Sequence, residues 1–280
     1  MKRILFASIA SLLLGCCAAA QVKPSSPEDG SIIQEWLQAS SRADASQPHW
    51  MAPLFTVTPR LVQQFRYDLA WQTKGDATTA NYGSGKGLEL IPTDRTEVLI
   101  SAPPYLTHSG SNLRDGWGDM TFLFKYRLAA ANEKQGNYVV TAFLATTVPT
   151  GMYSNGAARA TFTPTLAVGK GWGNFDVQAT MGVLLPGGDL RAMGTPVGLN
   201  TTLQYRVLRK LWPEVEINST LWGNGSNSGK KQVFFSPGLV AGRFHLWRRF
   251  GFAVGSGVQI AATRFHTYNH AWVMSVRFPF

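Results

Sequence analysis

Along most of the chain a large apolar residue returns at every second position, with polar residues between. In "LVQQFRYDLAWQ", Leu61, Phe65, Tyr67, Leu69 and Trp71 share one face, and Gln64, Arg66, Asp68 and Gln72 share the other. Period-2 alternation of this kind predicts a β-strand with one apolar and one polar face. "DMTFLFKYRL" repeats it, with Met120, Phe122, Phe124 and Tyr126 against Asp119, Thr121, Lys125 and Arg127. So do Phe175, Val177, Ala179 and Met181 against Asp176, Gln178 and Thr180, and Leu199, Leu203 and Tyr205 against Asn200, Thr202, Gln204 and Arg206. Val215, Ile217 and Leu221 oppose Glu214, Glu216 and Asn218, and Trp272, Met274, Val276 and Phe278 oppose Ser275 and Arg277.

Weaker alternation marks segments 87–91, 96–102, 138–148, 161–168, 232–242 and 250–263, which brings the expected number of strands to about twelve. Most have the roughly 9–11 residues a tilted strand needs to cross an apolar slab; 87–91 and 96–102 are short for it. Twelve apolar faces turned inward would require a core too thick for two sheets packed ~10 Å apart. An inverted barrel turns them to lipid instead. The tryptophans fit the inversion, because seven of the nine (71, 117, 172, 212, 222, 247 and 272) fall at or near expected strand ends, where a membrane interface favours aromatic rings.

Connections alternate between short ("PTDR", "KGWGN", "RKLWP", "RFHLWRR") and long ("TKGDATTANYGSGKG", "THSGSNLRDG", "MYSNGAARA", "GNGSNSGKK"). "AANEKQGN" and "HTYNH" are of intermediate length. Short turns on the periplasmic side and long loops outside are the usual asymmetry of outer-membrane barrels, and an even strand count returns the C-terminus to the periplasm.

The first twenty residues have two cations (Lys2, Arg3), an apolar run from Ile4 to Leu14 and small residues at Ala18 and Ala20, the layout of a secretory signal. Cleavage before Gln21 would remove Cys16 and Cys17, the only two cysteines, and with them any disulfide or thiolate metal site. "LLGC" also approximates a lipobox, which would instead lipidate Cys16. Residues 21–59 lack the alternation. "GSIIQEWLQASSRAD" suits a short amphipathic helix through Ile32, Ile33, Trp36 and Leu37, followed by the proline-containing "SQPHWMAPLFTVTPR". This stretch is either a periplasmic extension, the reading we favour, or a plug in the barrel mouth.

Charge adds a constraint. The formal net charge is +10, but the polar faces are mixed, with Arg66, Lys125, Arg127, Arg206 and Arg277 against Asp68, Glu89, Glu97, Asp119, Asp176, Glu214 and Glu216. Much of the excess lies in connections (Lys74, Lys86, Lys230 and Lys231 at one end; Arg209, Lys210, Arg248 and Arg249 at the other), where it meets lipid phosphates. A charge spread over two ends is not a nucleic-acid footprint. Opposite charges facing one another across a narrow bore tend to pair, since a lone charge there is costly. The wall therefore serves either a transport path or a closed barrel.

Chemistry is sparse. The five histidines (49, 108, 245, 266 and 270) lie in connections without metal-ligand spacing, and "GSGKG" lacks the spacing of a phosphate loop. No serine carries a nucleophile-elbow signature, so a membrane-embedded hydrolase is the weakest alternative. No cofactor or metal is expected.

In order along the chain, "APPY" (102–105), "DGWGD" (115–119), "KYR" (125–127), "VPTG" (148–151), "GKGWG" (169–173) and "LQYR" (203–206) stand near strand ends. From about Pro59 to Phe280 the chain resembles the bacterial outer-membrane family named for the meta-cleavage pathway of phenol degradation. The resemblance implies an outer-membrane barrel engaged in uptake of aromatic or other small apolar compounds. It supplies no binding residues.

The expectation is thus an all-β, transmembrane, antiparallel up-and-down barrel of about twelve strands over 60–280, after a signal peptide (1–20) and an N-terminal extension or plug (21–59). Its lumen wall would include Arg66, Asp68, Asp119, Lys125, Arg127, Asp176, Gln178, Gln204, Arg206, Glu214 and Glu216. Its partners would be outer-membrane lipids and lipopolysaccharide, a small-molecule solute and the barrel assembly machinery. A terminal aromatic on the last strand resembles the signal that machinery reads, which assigns Phe280 and Phe278 to assembly.

Overall fold

The computed structural model describes residues 29–157 and 159–280, so the expected signal peptide lies outside the described residues. The chain divides into two units, 1–38 and 39–280. Helix α1 (Asp29–Ala45) begins in the first and ends in the second.

The second unit is a closed antiparallel barrel of twelve strands. Three are interrupted: β2 (Ala77–Gly83 and Gly87–Thr93), β3 (Thr96–Ser101 and Tyr105–Ser109) and β4 (Gly116–Trp117 and Met120–Ala131). Each remains one strand, because both halves of β2 pair with β1 (Gln64–Lys74), and the halves of β3 and β4 follow in the same order. Then come β5 (Tyr138–Val148), β6 (Thr161–Trp172), β7 (Phe175–Val183), β8 (Val197–Tyr205), β9 (Leu211–Leu221), β10 (Lys231–Trp247), β11 (Phe250–Ala261) and β12 (His270–Pro279). β12 closes the ring on β1, from Gln64 opposite Pro279 to Thr73 opposite His270.

The alternation is inverted relative to a soluble core. On β4, Phe124 is 51% exposed and Lys125 1%; on β12, Trp272 is 46% exposed and Arg277 1%. Apolar side chains cover the outside, where lipid satisfies them, and the closed ladder of strand pairs bonds the backbone within the ring. Rings meet across strands at the rims, as Trp71 on Trp272 (centroids 5.0 Å apart) and Trp172 on Phe175 (6.2 Å).

The long first loop is not formed. β1 turns into β2 at Gly75–Asp76, with Gly75 at φ 59°, and all of "ATTANYG" is strand. Its alternation is invisible in sequence because neither face is strongly apolar. "GSGK" is instead the break within β2, where Gly83, Ser84 and Gly85 all have positive φ. The turn expected over "RFHLWRR" shrinks to Arg248–Arg249, because β10 continues to Trp247.

Candidate functional site

The inward side chains meet residues 46–63, which leave α1, enter the barrel and return to start β1. At the rim carrying the short turns, the end of α1 is tied to three of those turns. Arg42 pairs with Asp94 at 3.0 Å, Asn132 Nδ2 donates to Ala45 O at 3.1 Å, and Arg249 Nη2 donates to Ser41 Oγ at 2.8 Å. Arg127 donates to Ala43 O (2.8 Å), Ser46 Oγ (2.9 Å) and Asp94 O (2.6 Å). Glu133 accepts from the His49 amide at 2.7 Å. Burial pushes the Glu133 carboxyl up, but the His49 amide and ring outweigh it and hold the group below its ordinary range. Asp44 is likewise pushed up by burial and held lower by the charges of Arg60, Arg243 and His49.

Deeper in, the wall binds the segment through its backbone. Glu214 accepts from the Leu54 amide at 2.9 Å, and Glu216 from the amides of Phe55 (2.8 Å) and Thr56 (2.6 Å). Asn218 Nδ2 donates to Thr56 Oγ1 at 3.3 Å. On the return limb, Thr58 Oγ1 donates to Gln178 at 2.7 Å, Lys125 Nζ donates to Arg60 O at 2.8 Å, and Glu97 accepts from the Val62 amide at 2.6 Å. Two arginines of adjacent strands hold the entering limb. Arg66 donates to Pro53 O (3.0 Å) and Leu54 O (2.6 Å), and Arg277 to Ala52 O and to Pro53 O (3.1 Å).

Nine of the eleven residues expected on the wall face this interior. Arg66 is paired with Asp68 (2.7 Å), Gln178 Nε2 donates to Asp176 Oδ1 (3.0 Å) and to Gln204 (3.1 Å), and Gln204 bonds Glu214. Lys125, Arg127 and Glu216 bond as above. The other two lie at the rims. Asp119, at the break in β4, accepts from the amides of Gly151 and Ala157 and so fixes the long loop between β5 and β6. Arg206 lies just beyond β8, bonded to Asn174 Oδ1 (3.0 Å) and stacked over Trp212. Both follow the period of their strands, but the strands end or bend before reaching them.

Period-2 reasoning puts Glu97 and Arg277 on polar faces and leaves out Thr141, but it identifies none of the three as a partner of the segment, where Glu97 accepts from the Val62 amide, Thr141 donates to Pro59 O and Arg277 donates to Ala52 O and Pro53 O. A buried ion pair, Lys125–Glu97 at 2.9 Å, is the most telling omission. The cost of leaving opposite charges unpaired on adjacent strands is the signal that would have found it. Asp176 Oδ2 and Arg60 Nε are buried without a hydrogen-bond partner among the described residues.

Between the return limb and the wall of β2–β5 lies a cavity of about 270 Å3. One side is apolar (Val57, Leu99, Leu123, Phe143, Ala145) and the other carries Arg66, Lys86, Glu89, Glu97 and Lys125.

Two solved structures match over most of their length. An outer-membrane channel from Pseudomonas putida F1 shares 16% identity, with a TM-score of 0.51 over 78% of this chain and 94% of that one. The NanC porin shares 9%, with a TM-score of 0.51 over 77% of this chain and 99% of that one. At these identities the likeness is one of fold, that of outer-membrane channels. No curated protein matches. The family described as the MetA-pathway of phenol degradation matches residues 62–273, and this chain belongs to it.

Proposed function

We propose that this protein is a passive outer-membrane channel for small molecules, apolar and aromatic ones among them, without catalytic chemistry, and that residues 46–63 set its bore. The observation that carries the reading is the half-apolar, half-charged cavity of about 270 Å3 beside a segment held by side-chain contacts to wall groups rather than by strand pairing. Such a segment can move without breaking the barrel. The likeness in fold to two outer-membrane channels supports a non-enzymatic role.

In this reading the short turns, the start of β1 and the end of β12 face the periplasm, and the long loops face outward among lipopolysaccharide. A signal peptide over 1–20 delivers the chain, and Phe280 with Phe278 presents the last strand to the assembly machinery. Phe280 also bonds Gln63 through its amide (3.3 Å) and stacks near Phe250 (6.2 Å), so it closes the turn rim as well.

The extent of bonding around the segment favours a second reading, a closed structural barrel without transport. Liposome swelling with small neutral solutes separates the two. Swelling that falls with solute size supports the channel, and no swelling with any solute in correctly folded barrels overturns it.

A further inference from the structure

Arg66 and Arg277 stand directly opposite each other on β1 and β12, and both are buried, at 3% and 1% exposure. Like charges in facing positions are unfavourable unless something between them compensates. Arg66 has Asp68 at 2.7 Å. Arg277 has no ion-pair partner among the described residues; its donors go to Ser275 Oγ (3.0 Å), Ala52 O and Pro53 O. The two guanidiniums converge on one oxygen, Pro53 O, at 3.0 Å and 3.1 Å. A neutral carbonyl is a weak acceptor for two buried cations, and a carboxylate oxygen would be a stronger one.

The next residue occupies a socket. Gly238, Gly255 and Gly257 face inward on β10 and β11, Gly238 opposite Gly257. A Cβ on any of them would fall 2.6, 2.8 and 2.7 Å from the Leu54 methyl carbons, in that order. The three glycines leave a recess that the Leu54 isobutyl group fills. At its edge Glu214 accepts the Leu54 amide and Arg66 donates to the Leu54 carbonyl.

We infer that the Arg66–Arg277 pair and the glycine socket form a binding site for a small carboxylate with a short branched apolar tail, which Pro53 and Leu54 fill here as a built-in stand-in. The carboxylate takes the place of the carbonyls between the guanidiniums, and the tail takes the place of the Leu54 side chain. Binding displaces the entering limb of the segment and widens the bore, so the ligand competes with part of the chain itself. This rests on the channel reading for its consequence, though not for the site. Two sources share the chemistry: a plain branched acid, and an α-amino acid whose ammonium would also take the Glu214 carboxylate.

The test is calorimetric titration of the purified full-length barrel with 4-methylpentanoate, with L-leucine and with the neutral 4-methylpentanamide. Saturable binding of either acid, at least about tenfold tighter than the amide and about tenfold weaker in Arg277→Gln, is expected. Leu54→Ala keeps every wall group and weakens the internal competitor, so it should bind the acid severalfold more tightly, whether or not the arginine variant assembles. Equal binding of acid and amide, or no binding of either acid by Leu54→Ala, overturns the site. Liposome swelling with neutral solutes in the same preparation judges the channel reading separately. Swelling without acid binding defeats the site alone, and acid binding without swelling defeats the channel alone.

Discussion

Glu216 is the wall group that accepts two successive backbone amides of the inner segment. Its two oxygens accept the Phe55 amide at 2.8 Å, the Thr56 amide at 2.6 Å and Thr202 Oγ1 at 3.1 Å. Glu216→Gln keeps the shape but removes the charge and turns one acceptor into a donor. One backbone amide then faces an NH2 group in a buried site. Loss of a charge-assisted bond that strands its partner costs about 2–3 kcal/mol. If segment docking limits flux, the undocked population should rise roughly 30- to 150-fold. In planar bilayers this should appear as a higher open probability at unchanged unit conductance, because the barrel wall is otherwise intact. Heat-modifiable mobility in gels checks that the variant is folded. Wild-type open probability in a folded Glu216→Gln barrel would refute the argument.

Three further predictions follow from other contacts. Lys125→Met leaves Glu97 buried and unpaired, which should cost about 3–5 kcal/mol and lower the barrel's thermal midpoint, with partial recovery in Lys125→Met/Glu97→Gln; no loss in the single variant would contradict the pairing. Glu133 and Asp44 are held below their ordinary values when folded, so their contribution is complete above those values and is lost as pH falls through the folded ones. The His49 amide should therefore stay protected from hydrogen exchange from pH 8 to 5 and lose protection only once pH falls below the ordinary carboxylate range; loss between pH 8 and 5 would contradict this. Deleting Phe280 should lower the yield of assembled barrel in outer-membrane fractions, and an undiminished yield would count against its part in assembly.

How much of this was legible in sequence depended on whether a residue's position or its partner determined its role. Phe122 to Arg127 fixed both strand and inversion, because lipid and lumen impose opposite polarities at every step. Ala77–Gly83 and Tyr105–Ser109 carry no such contrast, so their strands were lost among loops although their pairing is regular. Residues 46–63 were harder still. Much of the wall recognises their amides and carbonyls, which every sequence has, so nothing in "QPHWMAPLFTVTPR" announces the match. The glycines facing Leu54 are equally silent, since a glycine on a strand reads as a weak point until something is seen to fill it.

The central claim, that movement of residues 46–63 controls passage through the barrel, is tested most directly by tethering. Thr56 and Asn218 touch at 3.3 Å, and the native cysteines lie at 16 and 17, within the expected signal peptide. In a Thr56→Cys/Asn218→Cys barrel, the account predicts that oxidation abolishes liposome swelling by small solutes and that reduction restores it. Equal swelling in the oxidised and reduced barrels would contradict it.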